Sequence, residues 1–253
     1  MIVTASKRVP LHPAEMTKRV TRAGRRPRTD NNEGLASVTR EQVIAHAMQL
    51  AQSESVEGIT IARLARERGV TTSLIHYFVV SRDELLSAVF NRVLKLRAEA
   101  YPPLTGRWRE DLETQLLQTH ESQLQWKGIT TYVATHNRYR LFQRVGPGEV
   151  DYGLVFFDRI GRILKSAGLT QQHAALAYHL IMLFMTSVAS AHVNRQEPVA
   201  HQAYLREHLN QFPGALFEGA HFLMPEFSSI STATTFEEGR RLLLDGISAW
   251  ITK

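Results

Sequence analysis

The sequence predicts an all-α protein, with an N-terminal three-helix helix-turn-helix domain followed by a larger helical domain. Three observations carry that expectation. Apolar residues recur at helical spacing from Thr39 onward, Ser/Thr-led capping signals open several of those stretches, and no run alternates as a half-buried strand does. No internal repeat occurs.

Residues 1–37 stand apart as a basic arm. They mix Pro, Gly, Asn and charge without apolar periodicity and read as flexible. The whole chain holds 30 Lys and Arg against 24 Asp and Glu, a net charge of +6. Met1–Thr29 alone has eight basic residues and one acid, Glu15, so the excess sits at one end. A polyanionic partner explains that placement, and a solvated leader without a partner explains it equally well. Pro10, Pro13 and the basic residues break Met1–Val20, which has no apolar core of a secretory signal.

The helices follow in order. Thr39-Arg-Glu-Gln42 is a capping box, and Val43, Ile44, Ala47, Met48, Leu50 and Ala51 form the stripe behind it. Gly58 breaks the chain, and Thr60 caps a short helix carrying Ile61, Leu64 and Ala65. Gly69 interrupts again, and Thr71 or Thr72 caps a third helix to about Phe78. A second box, Ser81-Arg-Asp-Glu84, opens a long helix that Pro102-Pro103 stops. The helix-turn-helix domain is thus expected over 38–84 and the second domain over 85–253.

In the second domain the pattern predicts helices over Trp108–Trp126, Ile129–Gln143, Val150–Ala167, Gln171–Asn194, Val199–Asn210 and Thr235–Thr252. Gly146-Pro147-Gly148 reads as a loop, Gly168 as a C-cap, and Thr170 as the cap of the next helix. Thr235-Phe-Glu-Glu238 is a third capping box. Phe212–Thr234, with Pro213, Pro225 and a Ser/Thr cluster, shows no clear pattern, so a short helix and a long loop both stay open. Ala174–Val193 is long and apolar, but His179, Thr186, Ser187, Ser190 and His192, without basic flanks, favour a buried helix over a membrane span.

The informative stretch is Thr60 to Phe78. Two helices this short need a neighbour, which the Thr39 helix supplies. Ala62 and Ala65 allow close approach, Leu64 and Val70 fill the centre, and Leu74 and Ile75 anchor the third helix. Thr71, Thr72, Ser73, His76 and Tyr77 are left facing outward. Small hydroxyls at a helix N-terminus donate to phosphates or bases, and such a helix enters the major groove in helix-turn-helix proteins. Helix pairs with a glycine turn also occur in proteins that never touch DNA.

A longer pattern surrounds it: Gly58, Thr60…Leu64-Ala65, Gly69-Val70-Thr71, Ile75-His76-Tyr77-Phe78-Val79, and Ser81-Arg82-Asp83-Glu84-Leu85-Leu86. On these residues, Thr39 to about Phe90 resembles the DNA-binding domain of the TetR (tetracycline repressor) family. Departures are His76 where that family commonly has a phosphate-contacting Tyr, Phe78 where His is common, and Val79 where Phe is common. Arg82 replaces the usual Lys and keeps a phosphate-binding cation. Gly24-Arg25-Arg26-Pro27-Arg28 resembles basic arms that lie in narrow minor grooves, with a purely electrostatic tail as the alternative. The DNA-contacting set is therefore Arg25, Arg26, Arg28, Thr60, Thr71, Thr72, Ser73, His76, Tyr77 and Arg82.

The resemblance fades after about residue 100. It implies a helical regulatory domain, dimerisation through two C-terminal helices, and an internal pocket. Gln171–Asn194 and Thr235–Thr252 are the candidate seam, through Ala174, Ala177 and Ala189 on the first and Leu243, Ile247 and Trp250 on the second. Either stripe also suits plain core. Trp126, Tyr132, His136, Tyr139, Phe156, Tyr178, His179, Met182 and Met185 are the candidate pocket residues, with Tyr132, His136 and Tyr139 on one helical face. Aromatics and Met fill cores as well.

The expectation is a cytoplasmic homodimer that binds double-stranded DNA at a partly palindromic operator, most simply as a repressor. A small-molecule effector would release it by shifting the fourth helix, Arg82–Tyr101. Alternatives are an activator, a constitutive DNA-binding protein, or an all-α small-molecule-binding or interaction protein that has lost DNA reading. There are no cysteines, which excludes disulfides, thiolate metal sites and cysteine catalysis. Eleven histidines form no H-E-x-x-H or compact ligand set, and no G-x-S-x-G, P-loop or G-x-G-x-x-G occurs. No enzyme, metal, cofactor or membrane partner is expected.

Overall fold

The computed structural model describes residues 38–135 and 143–251. Among the described residues the chain forms eleven α-helices and no strand.

Helix α1 (Arg40–Ser53) opens on the complete capping box: Gln42 N–H donates to Thr39 Oγ1 at 3.2 Å, and Thr39 N–H donates to Gln42 Oε1 at 3.1 Å. It buries Val43, Ala47 and Ala51. A 3₁₀ turn over Val56–Gly58 leads to α2 (Ile61–Arg68), which Thr60 caps by accepting from Arg63 N–H. Gly69 closes α2 at φ +67°, a left-handed conformation in which a Cβ would be strained. Arg63 ties the pair together, donating to both oxygens of Glu54 and to Glu67, which holds its guanidinium well above the ordinary arginine range. Thr71 caps α3 (Thr72–Phe78).

Helix α4 (Arg82–Ala100) is capped by Ser81, which accepts from Glu84 N–H at 3.1 Å. Its capping box is only half closed, because Glu84 Oε2 accepts from Val80 N–H rather than from Ser81. The first apolar cluster joins α1, α2 and α3 to Leu85, Leu86, Val89, Phe90 and Val93 of α4. It also takes in Trp126, Ile129 and Tyr132, from the end of α5 (Trp108–Gln125) and from α6 (Lys127–Thr135). Each large buried side chain contributes about 1.5–3 kcal/mol, so α4 and α6 stabilise helices too short to stand alone. Gly128 lets α6 meet α1. A Cβ there would overlap the Glu54 carbonyl oxygen and come within 2.8 Å of the Ala51 carbonyl.

The second cluster packs α5, α7 (Tyr152–Ser166), α8 (Gln171–Val193) and α11 (Thr232–Ala249) through Leu112, Leu116, Ile160, Ile181, Met185 and Leu244. Asp111, buried in the first turn of α5, accepts from Thr105 N–H and Oγ1–H and from Gly106 N–H. Thr170 caps α8 as expected. By length and composition alone α8 could cross a membrane, yet it buries Ala177, Tyr178, Ile181, Met185, Val188 and Ala189 in this bundle.

At the C-terminal end two expectations change and the open segment resolves. Helix α11 starts at Thr232 under a Ser231 cap, not at a Thr235 capping box; Thr235 lies inside and donates to the Ser231 carbonyl. Glu197 fixes that start by accepting from Thr232 N–H and Oγ1–H, which holds its carboxyl below the usual range. The helix expected over Val199–Asn210 is a 3₁₀ turn, Pro198–His201, followed by α9 (Gln202–Leu209). The open segment contains α10 (Glu218–Phe227), with Pro225 inside it. Arg206 of α9 clamps the pair, donating to the Pro225 carbonyl and Ser228 Oγ. Neither α9 nor α10 has a buried residue, and Phe222 is 81% exposed.

Candidate functional site

Helix α3 presents one polar face. Thr71, Thr72, Ser73, His76 and Tyr77 are all exposed, Tyr77 at 81%, while Ile75 and Val79 lock the helix into the first cluster. Leu74, expected as a second anchor, is itself exposed. The caps leave chemistry available: the Thr60 and Thr71 oxygens accept from backbone N–H groups, so their hydroxyl hydrogens can donate outward. His76 Nδ1 lies 3.3 Å from the Val80 carbonyl, so the tautomer protonated there donates to it and turns Nε2 away. Tyr77 stands edge-on to Phe78, ring centroids 5.1 Å apart. Arg25, Arg26 and Arg28 lie outside the described residues.

Arg82, expected as a phosphate-binding cation, is engaged within the fold. Its guanidinium donates to the carbonyls of Ile59 (3.0 Å), Val56 (2.8 Å) and Glu57 (3.2 Å). Those carbonyls belong to the turn that enters α2, so Arg82 staples α4 to the helix-turn-helix instead of projecting toward a phosphate.

Between the two apolar clusters lies a cavity of about 720 Å³. Helix α4 gives it Phe90, Val93, Leu94 and Arg97, and the junction of α5 and α6 gives it Trp126. Ile129, Thr130, Val133 and Ala134 of α6 and Phe156 of α7 form further wall; α8 adds Tyr178, His179, Met182, Thr186, Ser187 and Ser190. A mostly apolar space of this size with a few polar groups has the form of a small-molecule site. Of the expected pocket residues, Trp126, Phe156, Tyr178, His179 and Met182 line it. Tyr132 does not: it packs on Phe90 in the first cluster, centroids 6.0 Å apart. Met185 is fully buried in the second cluster. His136 and Tyr139 lie outside the described residues. The sequence reading missed Arg97, a lone cation beside Val93 and Leu94, and the hydroxyl run Thr186-Ser187…Ser190 in an otherwise apolar helix.

Comparison with known proteins places this architecture. The family model described as tetracyclin repressor-like, C-terminal domain, matches residues 102–251, more than half of the chain. The chain belongs to the TetR family. Members of the TetR family are non-enzymatic DNA-binding transcription regulators. The helix-turn-helix transcriptional repressor DrrR1 of Streptomyces coeruleorubidus is 22% identical over 241 residues, 91% of this chain and 83% of DrrR1. The repressor Rv1353c of Mycobacterium tuberculosis is 32% identical over 77 residues, 30% of each chain. Among solved structures, the TetR family protein ActR of Streptomyces coelicolor in complex with actinorhodin superposes with a TM-score of 0.73 at 24% identity, covering 86% of this chain and 99% of ActR.

The residues expected at a seam on α8 and α11 divide by burial. Ala177, Ala189 and Ile247 are buried within the subunit, in contacts of the chain with itself. Ala174 and Leu243 pack against the second cluster, and Trp250 stacks on His173 at 5.1 Å. Ala177 and Ala189 of α8 serve its packing inside the subunit. What α8 exposes is a stripe of Leu176, Leu180 and Leu183 at i, i+4 and i+7, and α11 exposes Leu242.

Proposed function

We propose that this TetR-family protein is a homodimeric repressor, released from a partly palindromic operator when a small molecule fills the cavity. The observation that carries the reading is that cavity and helix-turn-helix share structure. Helix α4 walls the cavity with Phe90, Val93, Leu94 and Arg97, and at its other end holds the turn before α2 through Arg82. Helix α6 walls it with Ile129, Thr130 and Val133, and meets α1 at Gly128. A ligand that prefers one placement of α4 and α6 thereby prefers one placement of the reading helices, and differential affinity is all that release requires.

On the DNA side, Thr60, Thr71, Thr72, Ser73, His76 and Tyr77 form the reading face, with Arg25, Arg26 and Arg28 of the basic arm adding phosphate contacts. Dimerisation through α8 and α11 would bring two such faces onto two half-sites. In this division 1–37 is the arm, 38–84 the DNA-binding domain and 85–253 the regulatory and dimerisation domain, all working in the cytoplasm. Repressor relatives and the ActR complex with actinorhodin agree with the reading.

Fluorescence anisotropy of the full chain on its own upstream intergenic duplex, against a scrambled duplex and across salt, tests it. Binding that exceeds the scrambled control at ~150 mM salt is expected, with protection of two related half-sites. Equal, salt-erased binding to every promoter duplex tried would overturn the DNA-binding part. Specific binding that no cavity ligand weakens would leave a constitutive regulator.

A further inference from the structure

The cavity holds a cation that the fold leaves without a counter-charge. Arg97 donates from Nε to Ser122 Oγ at 3.2 Å, and its Cζ lies 5.6 Å from the centroid of the Phe156 ring. Among the described residues its two Nη groups make no hydrogen bond and no carboxylate reaches ion-pair distance. Several other half-buried arginines here have acceptors at their Nη groups. Arg63 meets Glu54 and Glu67, Arg240 meets Glu113, and Arg82 satisfies three carbonyls. Burial pushes the Arg97 guanidinium down from the ordinary arginine range, with only the nearby Tyr101 acting the other way. Arginine still stays protonated at neutral pH, so a partly buried positive charge stands at the cavity wall.

We infer that the effector of this cavity is a planar aromatic carboxylic acid whose carboxylate is received by Arg97. The inference rests on the ligand-release reading above and narrows it to a chemical class. A guanidinium edge with two free Nη groups matches a carboxylate in bidentate geometry, and charge-assisted pairs of that kind are the strong ones. The walls around it suit a flat ring system: Trp126, Phe156 and Phe90 supply aromatic rings, and Val93, Ile129 and Val133 add aliphatic wall. Thr186, Ser187 and Ser190 supply hydroxyls for ring oxygens. Arg97 also sits on α4, so the group that takes the ligand's charge belongs to the helix that holds the helix-turn-helix.

Isothermal titration of the full chain with anthraquinone-2-carboxylate and with its neutral isostere, anthraquinone-2-carboxamide, tests this. The wild type should prefer the acid by about tenfold or more. Arg97→Gln should bring the ratio of the two affinities to about one while the carboxamide binds as before, which also shows the cavity intact. Arg97→Lys should keep part of the preference. A merely structural Arg97 would lower melting temperature and leave the ratio alone. Equal binding of acid and amide to the wild type, or a ratio unchanged in Arg97→Gln, overturns the assignment and leaves the ligand reading standing. Failure of both probes to bind overturns the assignment of ligand class and leaves the ligand-release reading to its own test on operator DNA.

Discussion

Arg82 and Arg97 stand on one helix, α4, about 22 Å apart along its axis at 1.5 Å per residue, and they face two different tasks. Arg82 donates to the carbonyls of Val56, Glu57 and Ile59 beneath α2; Arg97 lines the cavity, and among the described residues its Nη groups make no hydrogen bond. A helix of this length moves as a body, because bending it strains its own ladder of hydrogen bonds. Displacement of α4 at the Arg97 end is therefore felt at the turn that sets α2 and α3.

The two roles open to Arg82 predict different behaviour. A phosphate-contacting cation would tolerate lysine; a staple across three carbonyls would not, since an ammonium lacks the planar fork. Arg82→Lys should destabilise the protein by about 1–3 kcal/mol, seen as a lower melting temperature. The salt dependence of operator binding should keep its slope, because no phosphate contact is lost. An unchanged melting temperature with a shallower slope would restore the phosphate role.

Gly128 and Gly161 make a matched pair. Both are helical glycines, and alanine ordinarily stabilises such a position by about 0.5–1 kcal/mol. A Cβ at Gly161 meets nothing within 4 Å, so Gly161→Ala should raise the melting temperature slightly. At Gly128 it would overlap the Glu54 carbonyl, and backbone cannot rotate aside as a side chain can. Overpacking of this kind costs about 1–3 kcal/mol, which exceeds the propensity gain. Gly128→Ala should therefore melt lower, and it should also alter operator affinity by parting α6 from α1. Equal stabilisation by both substitutions would show that α6 does not press on α1.

The helix-turn-helix was legible because its signals are local. Thr39, Thr60, Thr71 and Ser81 cap the helices they precede, Gly69 turns where a left-handed residue is needed, and the outward face of α3 follows from helical period alone. The cavity was half legible. Helix α6 turns one face toward the first cluster with Ile129 and Tyr132 and one toward the cavity with Thr130 and Val133; periodicity does not say which wall borders open space. Met182 and Met185 divide in the same way on α8. At the seam, Ala177 and Ala189 signalled close approach correctly but not to which neighbour. Pro225 hid α10, because Arg206 and Ser228 supply contacts that a sequence rule for proline cannot see.

Tyr77 separates reading from folding. It is exposed and touches only Phe78 among aromatic neighbours, so Tyr77→Ala should leave the melting temperature within about 1 °C, as surface changes usually do. Operator affinity should fall about tenfold, close to 1.4 kcal/mol, by anisotropy. Retained affinity would remove Tyr77 from the DNA-binding face.

His120 supplies an acid-side instability. Its ring stacks on Phe236 with centroids 3.8 Å apart, and Nδ1 is buried without a hydrogen-bond partner. Burial first, and the His192 charge second, push its pKa below the ordinary 6.5. As pH falls through 6.5 the unfolded chain takes up a proton that native His120 refuses, so stability falls on acidification until the native value is reached. His120→Leu should shrink the difference in melting temperature between pH 7.5 and 5.5. An identical difference in both proteins would assign the acid sensitivity to other groups.

The exposed leucines of α8 and α11 test the proposed dimer seam. A scattered surface leucine is unremarkable, but Leu176, Leu180 and Leu183 share one face of α8, and Leu242 on the adjoining α11 is 70% exposed. Leu183 also lines the cavity, so its replacement would confuse assembly with ligand binding. Leu180 is not among the residues lining that cavity, which makes Leu180→Glu the cleaner probe. A glutamate there would be desolvated against its own symmetry copy in a two-fold seam. Sedimentation should then give a monomer with unchanged helical content, and operator affinity should fall by orders of magnitude because one reading head spans one half-site. A dimer that survives Leu180→Glu would move the interface off α8, with the exposed apolar surface of α9 and α10 the next place to look.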